Sequence, residues 1–395
     1  MSEVANIPQL RFPGFSDEWE ERPLKDVSTF FNGKAYKQAE LLSSGKYPVL
    51  RVGNFFTNNS WYYSNLELDE NKYCDNGDLL YAWSASFGPR IWAGEKVIYH
   101  CHIWKVINHS QVTKKFLFIV LDNETAKMKA QSANGFALLH ITKGTIENWK
   151  INLPTRQEQQ KIAAFLAAVD SKIEQLSKKQ ALLGEYKKGL MQQIFSQAIR
   201  FKADDGSDFP DWEEKKLGDV AEIVGGGTPP TAVEKYWNGN IQWFTPTEIK
   251  SKFIVNSKRT ITQVGLDTSS AKLLPKGTLL FSSRATVGEV GIAVQECTTN
   301  QGFQSFIVNK NNEPEFLYNW IIKNKKEFIR RASGSTFLEI GKSEIKKIKL
   351  HIPALPEQTK IANFLSSIDS KIEQVGKQLD ESKQFKKALL QQMFI

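Results

Sequence analysis

Residues 158–175 read EQQKIAAFLAAVDSKIEQ and residues 357–374 read EQTKIANFLSSIDSKIEQ, identical at 13 of 18 positions with a constant offset of 199. The match runs on without a gap. Tyr186-Lys187-Lys188 answers Phe385-Lys386-Lys387, and Leu190–Phe195 answers Leu389–Phe394. Upstream, Trp19-Glu20-Glu21, Leu24 and Asp26-Val27 echo Trp212-Glu213-Glu214, Leu217 and Asp219-Val220. Between these markers only Gly77-Asp78-Leu79-Leu80 and Gly277-Thr278-Leu279-Leu280 still correspond. A chain of 395 residues exceeds one ordinary core, and this one is a unit written twice. The ends of each half match while the middles differ, as a shared scaffold carrying two different readers would.

The repeated segment reads as a long helix. Thr155 with Glu158 three residues on predicts a capping box, and Pro356 fits a first turn, where its missing N–H is not needed. Ile162, Leu166, Val169, Ile173 and Leu176 start a 4-3 alternation that continues through Gln180, Leu183, Lys187, Leu190 and Ile194. Ile361, Leu365, Ile368, Ile372 and Val375 start the second copy, which continues through Leu379, Ser382, Lys386, Leu389 and Met393. A 3.5-residue apolar period over this length predicts a coiled-coil seam. The copies are equal in length and separated by a folded region, so they are expected to pack on each other. Lys187 and Lys386 occupy equivalent seam positions, so pairing the two copies with each other, or one copy with itself, is expected to gain or lose little from them.

The variable regions show short β-type runs at Tyr47–Val52, Asp78–Trp83, Lys96–Val106, Thr278–Ser282 and Gly291–Val294, punctuated by Gly, Asn and Pro. Helices are expected over Glu315–Arg331 and Thr113–Met128. The fold class is therefore α+β: two tandem mixed α/β domains joined and closed by two long antiparallel coiled-coil helices, related by a pseudo-twofold. The expected boundaries are 1–152, 153–199, 200–351 and 352–395.

Net charge is +9, and its distribution narrows the choice of partner. Residues 27–153 hold 14 Lys/Arg against 10 Asp/Glu, and residues 220–352 hold 18 against 11. Acidic residues gather instead in the entry segments 17–26 and 204–222. Two basic globules suit a polyanion bound at two places. The start MSEVANIPQLRFPGF does not read as a secretory signal, and no apolar run approaches a membrane span. Cys74, Cys101 and Cys297 are odd in number and lack a C-x-x-C pattern, which fits structural thiols in a reducing cytoplasm.

Catalytic motifs fail on inspection. Gly341-Lys342-Ser343 lacks the upstream glycine of a phosphate loop, and the acids around Asp211 lie too close in sequence to converge on a metal from separate strands. His100 and His102 would share a strand face, but no second ligand pair stands near them. The expectation is a non-catalytic chain with no metal site. Candidate DNA contacts come from the basic, aromatic and Gly-rich stretches. The first variable region offers Lys34, Lys37, Arg51, Asn54, Ser84 and Arg90; the second offers Thr228, Tyr236, Thr245, Lys258, Arg259 and Arg284. Arg, Asn, Ser and Thr can read base edges, Lys and Arg add salt-sensitive affinity, and glycine lets backbone N–H groups approach phosphates. Trp237 and Trp243, with the aromatic run Trp61-Tyr62-Tyr63, serve equally well as core.

The chain closely resembles the specificity subunits of type I restriction–modification systems over its whole length. The resemblance rests on the helical segments with their Glu-Gln-x-x-Ile-Ala starts, on G-G-T-P-x with Y-W-x-G-x-I-x-W (Gly226–Trp243), on Gly77–Leu80, and on Ser333-Gly334-Ser335-Thr336. It implies that each variable region is a target recognition domain reading one half of a split double-stranded DNA site. It also implies spacer helices on which two modification (methyltransferase) subunits dock, with restriction (translocase and nuclease) subunits joining later. S-adenosylmethionine, ATP and Mg would then be held by those partners, and no membrane is involved. The alternative is a coiled-coil scaffold with two protein-binding globules.

Overall fold

The repeated sequence forms two helices, a central one over Arg156–Phe195 and a distal one over Leu355–Met393. Each is about 60 Å long at 1.5 Å per residue. The structure, a computed structural model, describes residues 6–56, 58–84, 87–132, 141–334 and 338–395; Ser335 and Thr336 lie outside it. The chain forms two compact units, and the division falls inside the helices: residues 1–177 with 377–395, and residues 178–376. Each unit thus contains the start of one long helix and the end of the other.

Among its described residues the first unit contains ten strands: β1 (Glu20–Pro23), β2 (Ser28–Asn32), β3 (Tyr47–Leu50), β4 (Tyr62–Ser64), β5 (Tyr73–Cys74), β6 (Leu79–Ala82), β7 (Gly88–Ile91), β8 (Val97–Tyr99), β9 (Ile103–Asn108) and β10 (Lys150–Leu153). They make a ribbon β1-β10 and two four-stranded sheets, β2-β9-β6-β7 and β4-β3-β8-β5. The helix Lys114–Ser132 covers the first of these sheets. The second unit repeats the plan with β11 (Glu213–Lys216), β12 (Ala221–Gly225), β13 (Trp237–Phe244), β14 (Phe253–Ile254), β15 (Arg259–Ile261), β16 (Leu279–Phe281), β17 (Val290–Ala293), β18 (Cys297–Thr299), β19 (Gln304–Val308) and β20 (Lys349–Ile352). Its sheets are β11-β20, β12-β19-β16-β17-β14 and β15-β13-β18. In both units a parallel pair (β3·β8, β13·β18) lies beside an antiparallel one (β3·β4, β13·β15). The expected run Lys96–Val106 is two strands, because Ile103 N–H donates to His100 O at 2.9 Å and closes a turn between them. The expected helix Glu315–Arg331 is likewise two, Pro314–Lys323 and Lys325–Arg331.

Helix starts and ends enter the domain cores. In the first unit Ile162 and Leu166 pack with Leu389 and Met393 around Trp19, Phe30 and Phe116. In the second, Ile361 and Leu365 pack with Met191 and Ile194 around Trp212, Phe281 and Phe316. Of the other seam positions, Leu176, Ile368 and Val375 are buried, and Val169, Ile173 and Ile372 are half-buried. The segments run antiparallel within each unit, and two equivalent ion pairs fix the register. Lys386 meets Asp170 at 2.6 Å, and Lys187 meets Asp369 at 2.5 Å. The two lysines are thus equivalently placed and equivalently partnered. Each reaches an aspartate at the same place in the repeat on the other helix.

Each helix start is clamped from upstream. Arg11 donates through Nε and Nη2 to the fully buried Glu158 at 2.7 and 2.8 Å, and Arg200 holds the fully buried Glu357 in the same bidentate way at 2.9 and 2.9 Å. Half of the expected capping box forms. Thr155 Oγ1 accepts the Glu158 N–H at 3.4 Å, while the Glu158 carboxylate goes to Arg11 instead of returning to the cap. Phe12 meets Phe165 edge-on at 5.6 Å, as Phe201 meets Phe364 at 5.5 Å.

Candidate nucleic-acid interface

Backbone pairing gathers four loops at one end of the sheets in each unit. In the first, the turn His100–His102 lies at the centre. His100 N–H donates to Leu50 O (2.9 Å), Lys34 N–H to Tyr99 O (3.0 Å), and Cys101 N–H to Lys34 O (3.0 Å), while Trp83 N–H donates to His102 O (3.1 Å). Lys34, Arg51, Ser84 and the two histidines therefore come from the ends of β2, β3, β6 and β8. In the second unit the same frame surrounds Asn300–Gly302. Asn300 N–H donates to Phe244 O (2.9 Å), Gly227 N–H to Thr299 O (2.8 Å), and Ser283 N–H to Gly302 O (2.9 Å). Gly33 and Gly226 mark the closest backbone approach, since a Cβ there would lie 2.3 Å from Tyr99 O and 2.0 Å from Asn300 O. The Gly227 N–H is spent inside the protein, so it does not serve a phosphate as the Gly-rich sequence suggests.

The predicted contact residues fall into three situations. Some cations lie over aromatic rings. Arg51 sits 4.3 Å from the centre of the Tyr62 ring and donates to Asn54 Oδ1 (3.3 Å) and Ser60 O (3.2 Å). Arg259 sits 3.5 Å above Trp237, and Arg90 lies 5.5 Å from both Phe55 and Phe56. A second group is tied up internally. Asn54 Nδ2 donates to Ser60 O (2.6 Å), Thr228 Oγ1 to Gln301 Oε1 (2.5 Å), and Thr245 Oγ1 to Glu248 Oε2 (2.7 Å). Arg284 is paired through both nitrogens with Glu339 at 3.0 and 2.8 Å, and Lys34 meets Glu40 at 3.3 Å. The third group is placed around the site. Lys37 and Lys258 are exposed and Ser84 is half-buried, whereas Tyr236 packs beside Trp237, Ile241 and Leu266. Trp237 and Trp243 are core, 6% and 5% exposed.

The sequence pattern put His100 and His102 on a strand, but they stand on the turn with ring centroids 4.8 Å apart. Their ring nitrogens and Cys101 Sγ all lie within 4.8 Å of one another. Burial holds the His100 imidazole below its ordinary pKa, and the neighbouring charges of His102 and Arg51 push it the same way. A neutral imidazole there can donate and accept at a base edge. One left-handed residue stands at the corresponding end of the second unit. Ala285, beside Arg284, has φ of 62°, a left-handed conformation that costs about 1–2 kcal/mol for an L-residue.

The model of the type I restriction modification DNA specificity domain matches residues 16–183 and again residues 210–382. The chain belongs to this family. Each match contains one of these loop clusters, so the family's DNA specificity domain is present twice. The chain is 39% identical over 191 residues to the MjaIX specificity subunit of Methanocaldococcus jannaschii, a stretch covering 47% of this chain and 44% of that relative. It is 25% identical over 407 residues to the MjaVIII specificity subunit of the same organism, covering 96% and 92%. The fold is similar to the S subunit of a type I restriction-modification system from M. genitalium, with a TM-score of 0.62 at 15% identity over 98% of this chain and 99% of that one.

Within this specificity domain the two reading ends share a backbone frame and differ in side chains. His100-Cys101-His102 stands where the other copy has Asn300-Gln301-Gly302, and Arg51 stands where it has Thr245. Sequence analysis did not single out Asn300–Gln301, nor the placement of the His turn. The signal was present: both tripeptides precede matched strands at an offset of 200, visible once the turn hydrogen bonds set the alignment. No helix among the described residues is long and apolar enough to cross a membrane.

Proposed function

We propose that the chain is the sequence-reading subunit of a type I restriction–modification complex, recognising a bipartite double-stranded DNA target. In this reading two modification subunits and the restriction subunits supply methylation and cleavage, and those partners hold S-adenosylmethionine, ATP and Mg in the cytoplasm. One observation carries the proposal. Two copies of one backbone frame present different polar side chains, which is what reading two different half-sites requires. Among the described residues neither end gathers a carboxylate cluster, and burial pushes the Cys101 thiol up, away from the nucleophilic thiolate, so alone the chain should neither methylate nor cut.

Two measurements test this. DNA affinity should fall steeply and log-linearly with salt, with a slope that counts displaced counterions. Salt-insensitive binding to a protein partner would favour the scaffold reading instead. Replacing residues 27–153 with the corresponding region of another specificity subunit, in the complex with modification subunits, should change one half of the methylated site and leave the other intact. A chimera that keeps the old site, or alters both halves, would show that the readers are not modular.

A further inference from the structure

We infer that Arg259 reads a guanine in the half-site bound by the second unit. The inference rests on the proposed function and adds a named specificity residue to it. Trp237 and Trp243 meet edge to face with ring centroids 5.0 Å apart. Each is fixed by its indole N–H, Trp237 to Pro230 O (3.2 Å) and Trp243 to Gly227 O (2.9 Å). These bonds tie the platform to the Gly225–Pro230 loop, whose Thr228 reaches Gln301 at the centre of the reading end. Arg259 opens β15 directly opposite Trp243 and lays its guanidinium on Trp237, 3.5 Å from the ring centre.

A guanidinium stacked on its flat face keeps every N–H donor pointing outward in the ring-parallel plane. Among the described residues none of those donors is taken by a hydrogen bond or an ion pair. The other predicted arginines differ. Arg284 spends its fork on Glu339, Arg51 donates to Asn54 and Ser60, and Arg90 lies farther from its rings. A stacked, unspent fork on an exposed side chain matches the two acceptors, O6 and N7, on the major-groove edge of guanine. A phosphate contact needs no such platform, and the exposed Lys258 next door can supply one.

The test uses the chain assembled with its modification subunits, mapping methylated sequences for wild type, Arg259→Lys and Arg259→Ala. The wild-type half-site read by residues 200–351 should contain a guanine. Both substitutions should lower discrimination at that one base pair by roughly ten- to a hundredfold while the other half-site stays strict. Arg259→Lys keeps the charge and the stem on Trp237, so it separates lost reading from lost folding. Weaker binding to all sequences, with the salt slope reduced by about 1 and the motif unchanged, would make Arg259 a phosphate contact and overturn the inference. An unaltered motif at full affinity, or a wild-type half-site without guanine, would overturn it as well. A wild-type complex with no sequence preference would instead sink the function proposed above.

Discussion

Replacing Glu357 by alanine is expected to destabilise the second unit by about 3–5 kcal/mol, the cost of leaving a buried charge without its partner. Both carboxylate oxygens accept from Arg200, and Oε2 also accepts the Trp212 indole N–H at 3.3 Å. Arg200 donates further to Pro210 O at 2.7 Å, so it cannot swing out to water without releasing the entry segment. Bonding to Glu357 accordingly raises the Arg200 pKa, with the carboxylate's charge adding to the effect. Glu158→Ala removes the same clamp from the first unit, where Arg11 is buried more deeply. Trp19 Nε1 has no hydrogen-bond partner there, so one fewer bond is lost. At about 2–4 °C per kcal/mol for a unit of this size, each substitution should lower its own unit's melting transition by roughly 6–20 °C. Calorimetry of the full chain would show which transition moves. A shift below about 2 °C would mean that water already screens these carboxylates.

The helices were the most legible part of the chain, because a 199-residue offset with 13 identities in 18 leaves little freedom and the heptad period specifies a helix. The strands at Tyr47, Leu79 and Leu279 followed from alternation and flanking glycines. The clamps were not legible. Arg11 and Arg200 stand 189 residues apart while Glu158 and Glu357 stand 199 apart, so the entry segment slips by ten residues against the helix and the repeat pattern hides the pairing. The fate of the polar seam positions was hidden too. Lys187 and Lys386 look like defects in an apolar stripe until Asp369 and Asp170 are seen opposite them. In the loop clusters, composition singled out residues that the backbone does gather, but not which side chains are spent there. Arg284 and Glu339 are 55 residues apart in sequence, and only the fold makes them partners. Arg259 is free for a complementary reason, since its platform comes from residues 16 and 22 positions upstream.

A chain ending after Gln197 is expected to form a twofold dimer. The first unit in the whole protein is completed by the distal helix, whose Phe394 meets Trp19 edge-on at 6.1 Å and stacks on Phe116 at 5.8 Å. Leu389 and Met393 fill the same core. The truncated chain lacks all of these but keeps their counterparts, Leu190, Ile194 and Phe195, which in the whole protein fill the second unit; there Phe195 meets Phe316 at 5.5 Å. With their own core removed, these side chains have a vacant matching site only on another copy. Lys187 of that copy can meet Asp170 as Lys386 does in the intact chain. Burying three such side chains at about 1.5–3 kcal/mol each, twice by symmetry, gives roughly 9–18 kcal/mol toward association. Ordering and association costs of about 4–15 kcal/mol oppose it and leave about 4 kcal/mol at the middle of both ranges, so dimerisation should be evident near millimolar concentration. Two identical readers related by a twofold would then recognise a palindrome, an inverted repeat of the first half-site. Sedimentation of residues 1–197, with methylation mapping in the presence of the modification subunit, checks both steps. Ile194→Asp should return the fragment to a monomer without touching the reading end. A wild-type fragment that stays monomeric, or a target that stays asymmetric, would show that the two helix ends are not interchangeable plugs for the same core.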